Sequence, residues 1–280
     1  METGIEVGIP AELTSASLTV SGVPPAVAVF DIDGVVRDVA GSYLRALADT
    51  VEHFTAAAFR PTLEQVDALK AEGLWNNDWE AAQELIYRYF EAQGQSRTQI
   101  ALNYDELVDF FQLRYRGVNW SGYIQDEPLL LSATYLADLT AAQIPWGFFS
   151  GATRGSATFV LEQRLGLKAP VLVAMEDAPG KPDPTGLIAT VEQLVGPLSL
   201  STRIPIFYVG DTVADMQTVQ RAAQVNSAYA WLGIGVVPPH VQSRQDYAQQ
   251  LSWSGAIAVF DRAAELTPEQ ILKLIQLHVG

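Results

Sequence analysis

The chain has no cysteine, which excludes a disulfide scaffold, thiolate metal ligands and a cysteine nucleophile together. It is also short of positive charge. Seventeen Lys and Arg face 32 Asp and Glu, for a net charge of −15, and no basic cluster offsets this locally. Nucleic acid is therefore not an expected partner, because its phosphate backbone demands a basic footprint. An anionic substrate would have to find a local positive spot against the same field. No stretch approaches the ~20 apolar residues that span a bilayer, so no membrane association is expected. The opening Met1-Glu2-Thr3-Gly4-Ile5-Glu6 is acidic where a targeting segment is basic. These absences predict a soluble, cytoplasmic protein. The three histidines, His53, His240 and His278, are scattered, so none is expected to be a ligand, and the periodicity leaves the oligomeric state open.

What is present is core material. Hydrophobic residues make up 49% and charged residues 18%, a globular balance. The 280 residues suffice for one large domain or two modest ones. The most informative segment is Asp31-Ile32-Asp33-Gly34-Val35, directly behind the apolar run Ala26-Val27-Ala28-Val29-Phe30 and the breaker pair Pro24-Pro25. The run reads as a buried strand. Side chains two apart on an extended chain point the same way, so Asp31 and Asp33 emerge together. Gly34 lets the chain turn tightly behind them. Open α/β sheets place their ligands at the carboxyl ends of parallel strands. Two carboxylates so close need a cation or a proton to coexist.

Residues 1–23 read as an N-terminal extension. From about Asp38 the pattern turns helical, with Tyr43, Leu44, Leu47, Val51 and Phe54 forming one apolar stripe. Thr62 with Gln65 spells a capping box. A polar-aromatic knot, Trp75-Asn76-Asn77-Asp78-Trp79, precedes a predicted helix Glu80–Gln93, and another opens at Asn103 or Tyr104 and runs through Arg114. No strand is expected between Asp38 and Asp126. Beyond that point, predicted strands at Pro145–Phe149, Val171–Val173, Ile204–Val209, Tyr229–Leu232 and Ala256–Phe260 alternate with helical text. Thr267-Pro268 opens a last helix. The expected fold class is α/β: a doubly wound parallel sheet with an inserted α-helical cap. The core would be residues 24–38 and 126–280, and the cap 39–125.

Each candidate site follows a predicted strand: Asp31 and Asp33, then Ser150-Gly151, then Lys181, then Asp211 and Asp215. In a doubly wound sheet these strand ends share one edge. Four carboxylates around one lysine would repel strongly. A divalent cation resolves this, and an all-oxygen ligand set favours a hard ion such as Mg²⁺. Ser150 and the Gly151 amide at a helix start offer hydrogen bonds to an anion. Together these groups suit phosphoryl transfer better than any other reaction class. Taken singly, each residue has an ordinary explanation as a cap, a surface charge or a turn; the ordered set outweighs those. Trp75 and Trp79, at helical spacing, read as core, and Glu176 and Asp177 as loop acids.

In that order the motifs resemble those of the haloacid dehalogenase (HAD) superfamily of phosphohydrolases. The likeness is to subfamily I, the helical-capped branch of phosphoglycolate phosphatase and β-phosphoglucomutase, over roughly residues 26–260. They are Asp31-Ile32-Asp33-Gly34-Val35, Ser150-Gly151, Lys181-Pro182, and Gly210-Asp211 with Asp215. The resemblance implies a nucleophilic Asp31 and an acid–base Asp33. Mg²⁺ would be held by Asp31, Asp211, the Asp33 backbone carbonyl and, directly or through water, Asp215. Ser150, Gly151 and Lys181 would hold the phosphoryl oxygens. The sister dehalogenases lack the second aspartate, so Asp33 argues for phosphate esters. Arg37 stands where relatives carry a small or apolar residue, either reading a substrate anion or lying on the linker surface. Asn77 and Asp78 of the knot are the specificity candidates in the cap. The expected activity is hydrolysis of a small phosphorylated metabolite through an aspartyl-phosphate, with a phosphomutase and, behind it, a non-catalytic phosphometabolite-binding protein as alternatives.

Overall fold

The computed structural model describes residues 23–279 apart from 71, 73, 76 and 197–202. Residues 1–22 of the expected extension and Asn76 of the knot lie outside the described residues. Six strands, β1 (Val27–Phe30), β2 (Trp146–Phe149), β3 (Leu172–Val173), β4 (Ile204–Gly210), β5 (Tyr229–Val236) and β6 (Ala256–Phe260), form one sheet. Its order is β3-β2-β1-β4-β5-β6, and every neighbouring pair is parallel. Strand order reverses beside β1, which puts the ends of β1 and β4 at the topological switch point. The helices are α1 (Tyr43–Phe54), α2 (Leu63–Lys70), α3 (Asp78–Ala92), α4 (Tyr104–Tyr115), α5 (Ala133–Ala141), α6 (Arg154–Thr158), α7 (Thr185–Val195), α8 (Val213–Val225), α9 (Arg244–Trp253) and α10 (Pro268–His278). Behind α6 the chain continues as a π-helical turn, Phe159–Arg164.

The central strands are buried along their whole length, without alternation, as in a sheet covered on both faces. On one face Val27, Val29, Ile206 and Tyr208 pack with Leu187, Val191 and Leu194 of α7. On the other, the Phe30 ring meets Tyr135 of α5 edge-on at 6.0 Å and Phe148 at 6.2 Å. Burying one such side chain is worth about 1.5–3 kcal/mol, so these contacts fix the height at which each strand ends, and with it the site.

The chain divides into two compact units. One holds the sheet, with the chain up to Asp38 and Leu129–Gly280; the other is Val39–Pro128. The second unit carries α1 to α4, and among the described residues it has no strand. There Tyr43 packs edge-on against Phe111 and Tyr115, with ring centroids 5.0 and 4.5 Å away. The Thr62 box forms, the Thr62 N–H donating to Gln65 Oε1 at 2.9 Å and the Gln65 N–H to Thr62 Oγ1 at 3.3 Å.

Three elements differ from their predicted form. Helix α3 begins at Asp78, because Asn77 caps it by accepting from the Trp79 N–H at 3.0 Å. Strand β5 continues through Gly233-Ile234-Gly235-Val236. A Cβ at Gly233 would stand 3.1 Å from Met216 Sδ, and one at Gly235 3.1 Å from Leu251 Cδ1, so these glycines mark close approach inside a strand rather than its end. Helix α9 has no sequence forecast; Leu251 is the buried residue along it, too little to make a stripe.

Candidate active site

Asp31 leaves β1 with its N–H donating to Val209 O of β4 at 2.8 Å, while Oδ1 accepts the Ile32 N–H at 2.7 Å. The next residues close into a small loop. Val36 N–H donates to Ile32 O at 2.8 Å, and Gly34 N–H to Arg37 O at 2.9 Å. Gly34 sits at φ +75°, and a Cβ there would run into the Asp211 carboxylate. Both the turn and the close approach therefore require glycine. Asp33 keeps 32% of its side chain exposed.

Lys181 lies in the loop behind β3, and its bond to Pro182 is cis. Its Nζ is 2.8 Å from Asp31 Oδ2 and 2.6 Å from Asp215 Oδ1, and 5.5 Å from the ring centroids of both Phe149 and Tyr208. Asp215 stands on the first turn of α8, where it completes a capping box with Thr212. Its Oδ2 accepts from Thr212 N–H at 2.9 Å and Thr212 Oγ1 at 2.7 Å. The Tyr208 hydroxyl donates to Asp215 Oδ1 at 3.0 Å and lies 3.1 Å from Phe149 O. A Cβ at Gly210 would collide with Asp215. Protein donors thus reach both carboxylate oxygens of Asp215, Lys181 among them.

Carboxylate oxygens of Asp31, Asp211 and Asp215 come within 4.8 Å of one another. Burial raises Asp31 to about 6; Lys181 opposes this, while Asp215 and Asp33 add to it. Asp211 is pushed well above the usual carboxylate range, first by burial and then by Asp215 and Asp31. Burial acts upward on Asp215 too, but the Lys181 charge and the hydrogen bonds from Lys181 and Thr212 prevail, and its carboxyl ends below the usual value. Burial also disfavours charge on Lys181, yet Asp215 and Asp31 outweigh it and its pKa rises. Protonated lysine and ionised Asp215 are one settled pair.

Asp211 is different. Among the described residues no hydrogen bond or ion pair reaches its carboxylate, whereas its backbone carbonyl accepts from Tyr247 Oη at 2.9 Å. A repelled pair of carboxylates, Asp31 and Asp211, with an all-oxygen surround fits a hard divalent cation. Asp211→Asn removes the repulsion and one of the three carboxylates that could hold a cation. In chelator at pH 8 the variant is expected to melt above the parent, by ~2–4 °C if the gain is about 1 kcal/mol. Adding Mg²⁺ should then raise the parent's Tm but not the variant's. A variant that still gained stability from Mg²⁺ would exclude Asp211 as a ligand.

Ser150 ends β2 buried, with its N–H on Val173 O at 3.0 Å and its Oγ accepting from Ala152 N–H at 3.2 Å. Its hydroxyl proton is left to donate. Gly151 is exposed, and a Cβ there would meet nothing within 4 Å. Arg37 is fully buried and paired with Asp33, its Nε donating to Asp33 Oδ1 at 2.6 Å. The surface-linker alternative for Arg37 therefore falls. Asn77 and Asp78 lie in the helical unit, where Asn77 caps α3 and Asp78 Oδ1 is 2.6 Å from Lys70 Nζ. Glu176 accepts the Arg154 N–H at 2.8 Å, and Asp177 accepts the Ala174 N–H at 2.7 Å and pairs with Arg154, so both tether loops. Tyr208 went unmarked in the sequence; its signal was a hydroxyl-bearing side chain in a buried strand, just before Gly210-Asp211.

Among the described residues no helix is long and apolar enough to cross a membrane. The family model for haloacid dehalogenase-like hydrolases matches residues 25–223. An imidazoleglycerol-phosphate dehydratase from Phytophthora nicotianae is 30% identical over 220 residues, 77% of this chain and 44% of that protein. The chain thus spans less than half the length of this curated relative. A β-phosphoglucomutase from Clostridium difficile superposes with a TM-score of 0.55 at 15% identity, over 92% of this chain and 99% of the other. A phosphatase from Thermococcus thioreducens gives 0.55 at 21% identity, over 80% and 98%. At these identities the superpositions speak to the fold. With the family model matched over most of the chain, and with Asp31, Ser150, Lys181 and Asp211 at the carboxyl ends of successive strands, this chain belongs to the haloacid dehalogenase-like hydrolases.

Proposed function

We propose that the chain is a Mg²⁺-dependent phosphatase that hydrolyses a small-metabolite phosphate monoester through an aspartyl-phosphate on Asp31. The observation that carries this is the pairing of a buried nucleophile candidate with a fixed cation: Asp31 Oδ2 lies 2.8 Å from Lys181 Nζ, and Lys181 is itself anchored to Asp215. Mg²⁺ held by Asp31 and Asp211, with the Asp33 backbone carbonyl, would neutralise charge on the transferring phosphoryl group. Lys181, Ser150 Oγ and the Gly151 N–H bind its oxygens. Asp31 attacks phosphorus as the ester bond breaks, and Asp33 gives its proton to the departing alcohol. Asp33 then takes a proton from water, which attacks the phosphorus of the aspartyl-phosphate and releases inorganic phosphate. Asp31 is regenerated.

A phosphomutase reading shares every residue but returns the phosphoryl group to a sugar. The curated relative's name points to a phosphate monoester bearing an imidazole, so imidazole-containing monoesters such as histidinol phosphate join phosphoglycolate and sugar phosphates as candidate substrates. The test is a panel of these esters with Mg²⁺, read as inorganic phosphate release, with ³²P transfer to protein in a quenched single turnover. Phosphate release with acid-stable label on the wild-type chain supports the reading. Isomerised ester requiring a bisphosphate activator would favour the mutase, and binding without turnover of any ester would leave a phosphometabolite-binding protein.

A further inference from the structure

Arg37 is a cation with no role in the reaction above, yet it is wholly buried and fixed on the residue assigned to proton transfer. Its Nε and Nη2 both lie 2.6 Å from the same oxygen, Asp33 Oδ1. A guanidinium paired with an isolated carboxylate commonly forks across both oxygens; here it takes one. Among the described residues no hydrogen bond or ion pair reaches Asp33 Oδ2, and the Asp33 side chain is 32% exposed. The backbone holds Arg37 in turn. Asp33 and Arg37 form a β-bridge, Arg37 N–H donates to Ile32 O at 3.1 Å, and Arg37 bridges antiparallel to Leu129, where Leu130 N–H donates to Val36 O at 2.8 Å.

We propose that Arg37 is a positioning residue for Asp33: it clamps Oδ1 and presents Oδ2 as the atom that exchanges the proton with the leaving alcohol. This rests on the acid–base reading of Asp33. A carboxylate on a freely rotating side chain spends most of its time out of reach of the reacting oxygen, and a misplacement of about 1 Å costs on the order of 10²-fold. The clamp removes that search. It also explains why an arginine, rather than a lysine, suits the position: a planar guanidinium that donates from Nε and sets Nη2 beside the same oxygen fixes direction as well as charge.

Leaving-group dependence separates positioning from mere support of the fold. Phenyl phosphate departs as a poor leaving group that needs a proton, whereas p-nitrophenyl phosphate departs as a stable anion that does not. Neither carries a second anionic group, so a lost substrate-anion contact would not register with either. With R37M, kcat/KM for phenyl phosphate is expected to fall ~10–100-fold and that for p-nitrophenyl phosphate by less than about 3-fold. R37K, which keeps the charge and loses the fork, should show a smaller loss with the same selectivity, and it decides the matter if R37M does not fold. D33N is the reference. If D33N itself shows no such selectivity, the acid–base reading fails. If D33N shows it while the Arg37 variants lose both substrates equally, or lose neither, the positioning role is overturned.

Discussion

Asp31→Asn is expected to lower turnover of phosphate monoesters on the order of 10⁴-fold or more while the chain stays folded, since loss of a covalent nucleophile is among the largest single-residue effects in catalysis. The substitution is nearly isosteric. The Ile32 N–H still finds an acceptor in the Asn side-chain oxygen, and Lys181 keeps Asp215 as its counter-ion. What disappears is the carboxylate that would attack phosphorus. The ³²P label expected on the wild-type protein should be absent from the variant. Full activity in Asp31→Asn would sink the aspartyl-phosphate mechanism.

The same variant has a second signature, in stability. Burial pushes the Asp31 carboxyl up to about 6, against 3.8 for an ordinary aspartate. A carboxyl raised on folding contributes stability that is whole below the unfolded pKa and is lost as pH rises through the folded one. The loss therefore falls between about pH 4 and pH 6, and at ~1.4 kcal/mol per pKa unit it is on the order of 2–3 kcal/mol. Asn does not titrate. In chelator, the stability of Asp31→Asn relative to the parent should thus climb across that window and level off above it. A difference independent of pH would mean that Asp31 is not held against its charge.

Lys181→Met carries the largest expected cost to folding. It strands Asp215, whose side chain has no exposure, without the ammonium 2.6 Å away. Removing one partner of a buried pair destabilises by about 3–5 kcal/mol, because the remaining charge keeps its desolvation cost. The Phe149 and Tyr208 rings also lose the cation that lies 5.5 Å from each. Urea midpoints should fall accordingly, and Lys181→Met with Asp215→Asn should recover much of the loss, since neither charge is then left alone. Activity would drop in both, by about 10²–10³-fold, the usual scale for removing a donor aimed at developing charge. A single variant as stable as the parent would show the pair to be ornamental.

The frame was readable because its signals are local. A Val-rich run behind a breaker pair gave β1 and a second apolar run gave β4, and the motifs fell directly behind them, so strand ends and candidate site residues were located by one inference. Caps such as Thr62 and Thr267 depend on two or three neighbouring residues and were equally plain. Other features were not local. Asn77 stood out because the knot around it is unusual, and the cap it makes on the Trp79 N–H was not read from that pattern. Asp215 falls in one carboxylate cluster with Asp31 and Asp211, as its spacing suggested, but Tyr208 and Thr212 also reach it from β4 and the helix start, and no spacing rule reports that both will. Arg37 was ambiguous for the opposite reason: a charge in an apolar place has meaning only once its partner is known, and that partner is four residues away on a loop that folds back.

The capping box at the start of α8 has a bearing on motion. Asp215 closes the first turn of that helix through Thr212 with one oxygen and grips Lys181 with the other. Helix ends are where local unfolding ordinarily begins. Here an unwound first turn would release the lysine and leave two buried charges apart, so the fraying mode common to other helices is closed to this one. The carboxylate cluster around Asp31 is thereby held by an electrostatic penalty as well as by packing, for as long as the lysine keeps its proton.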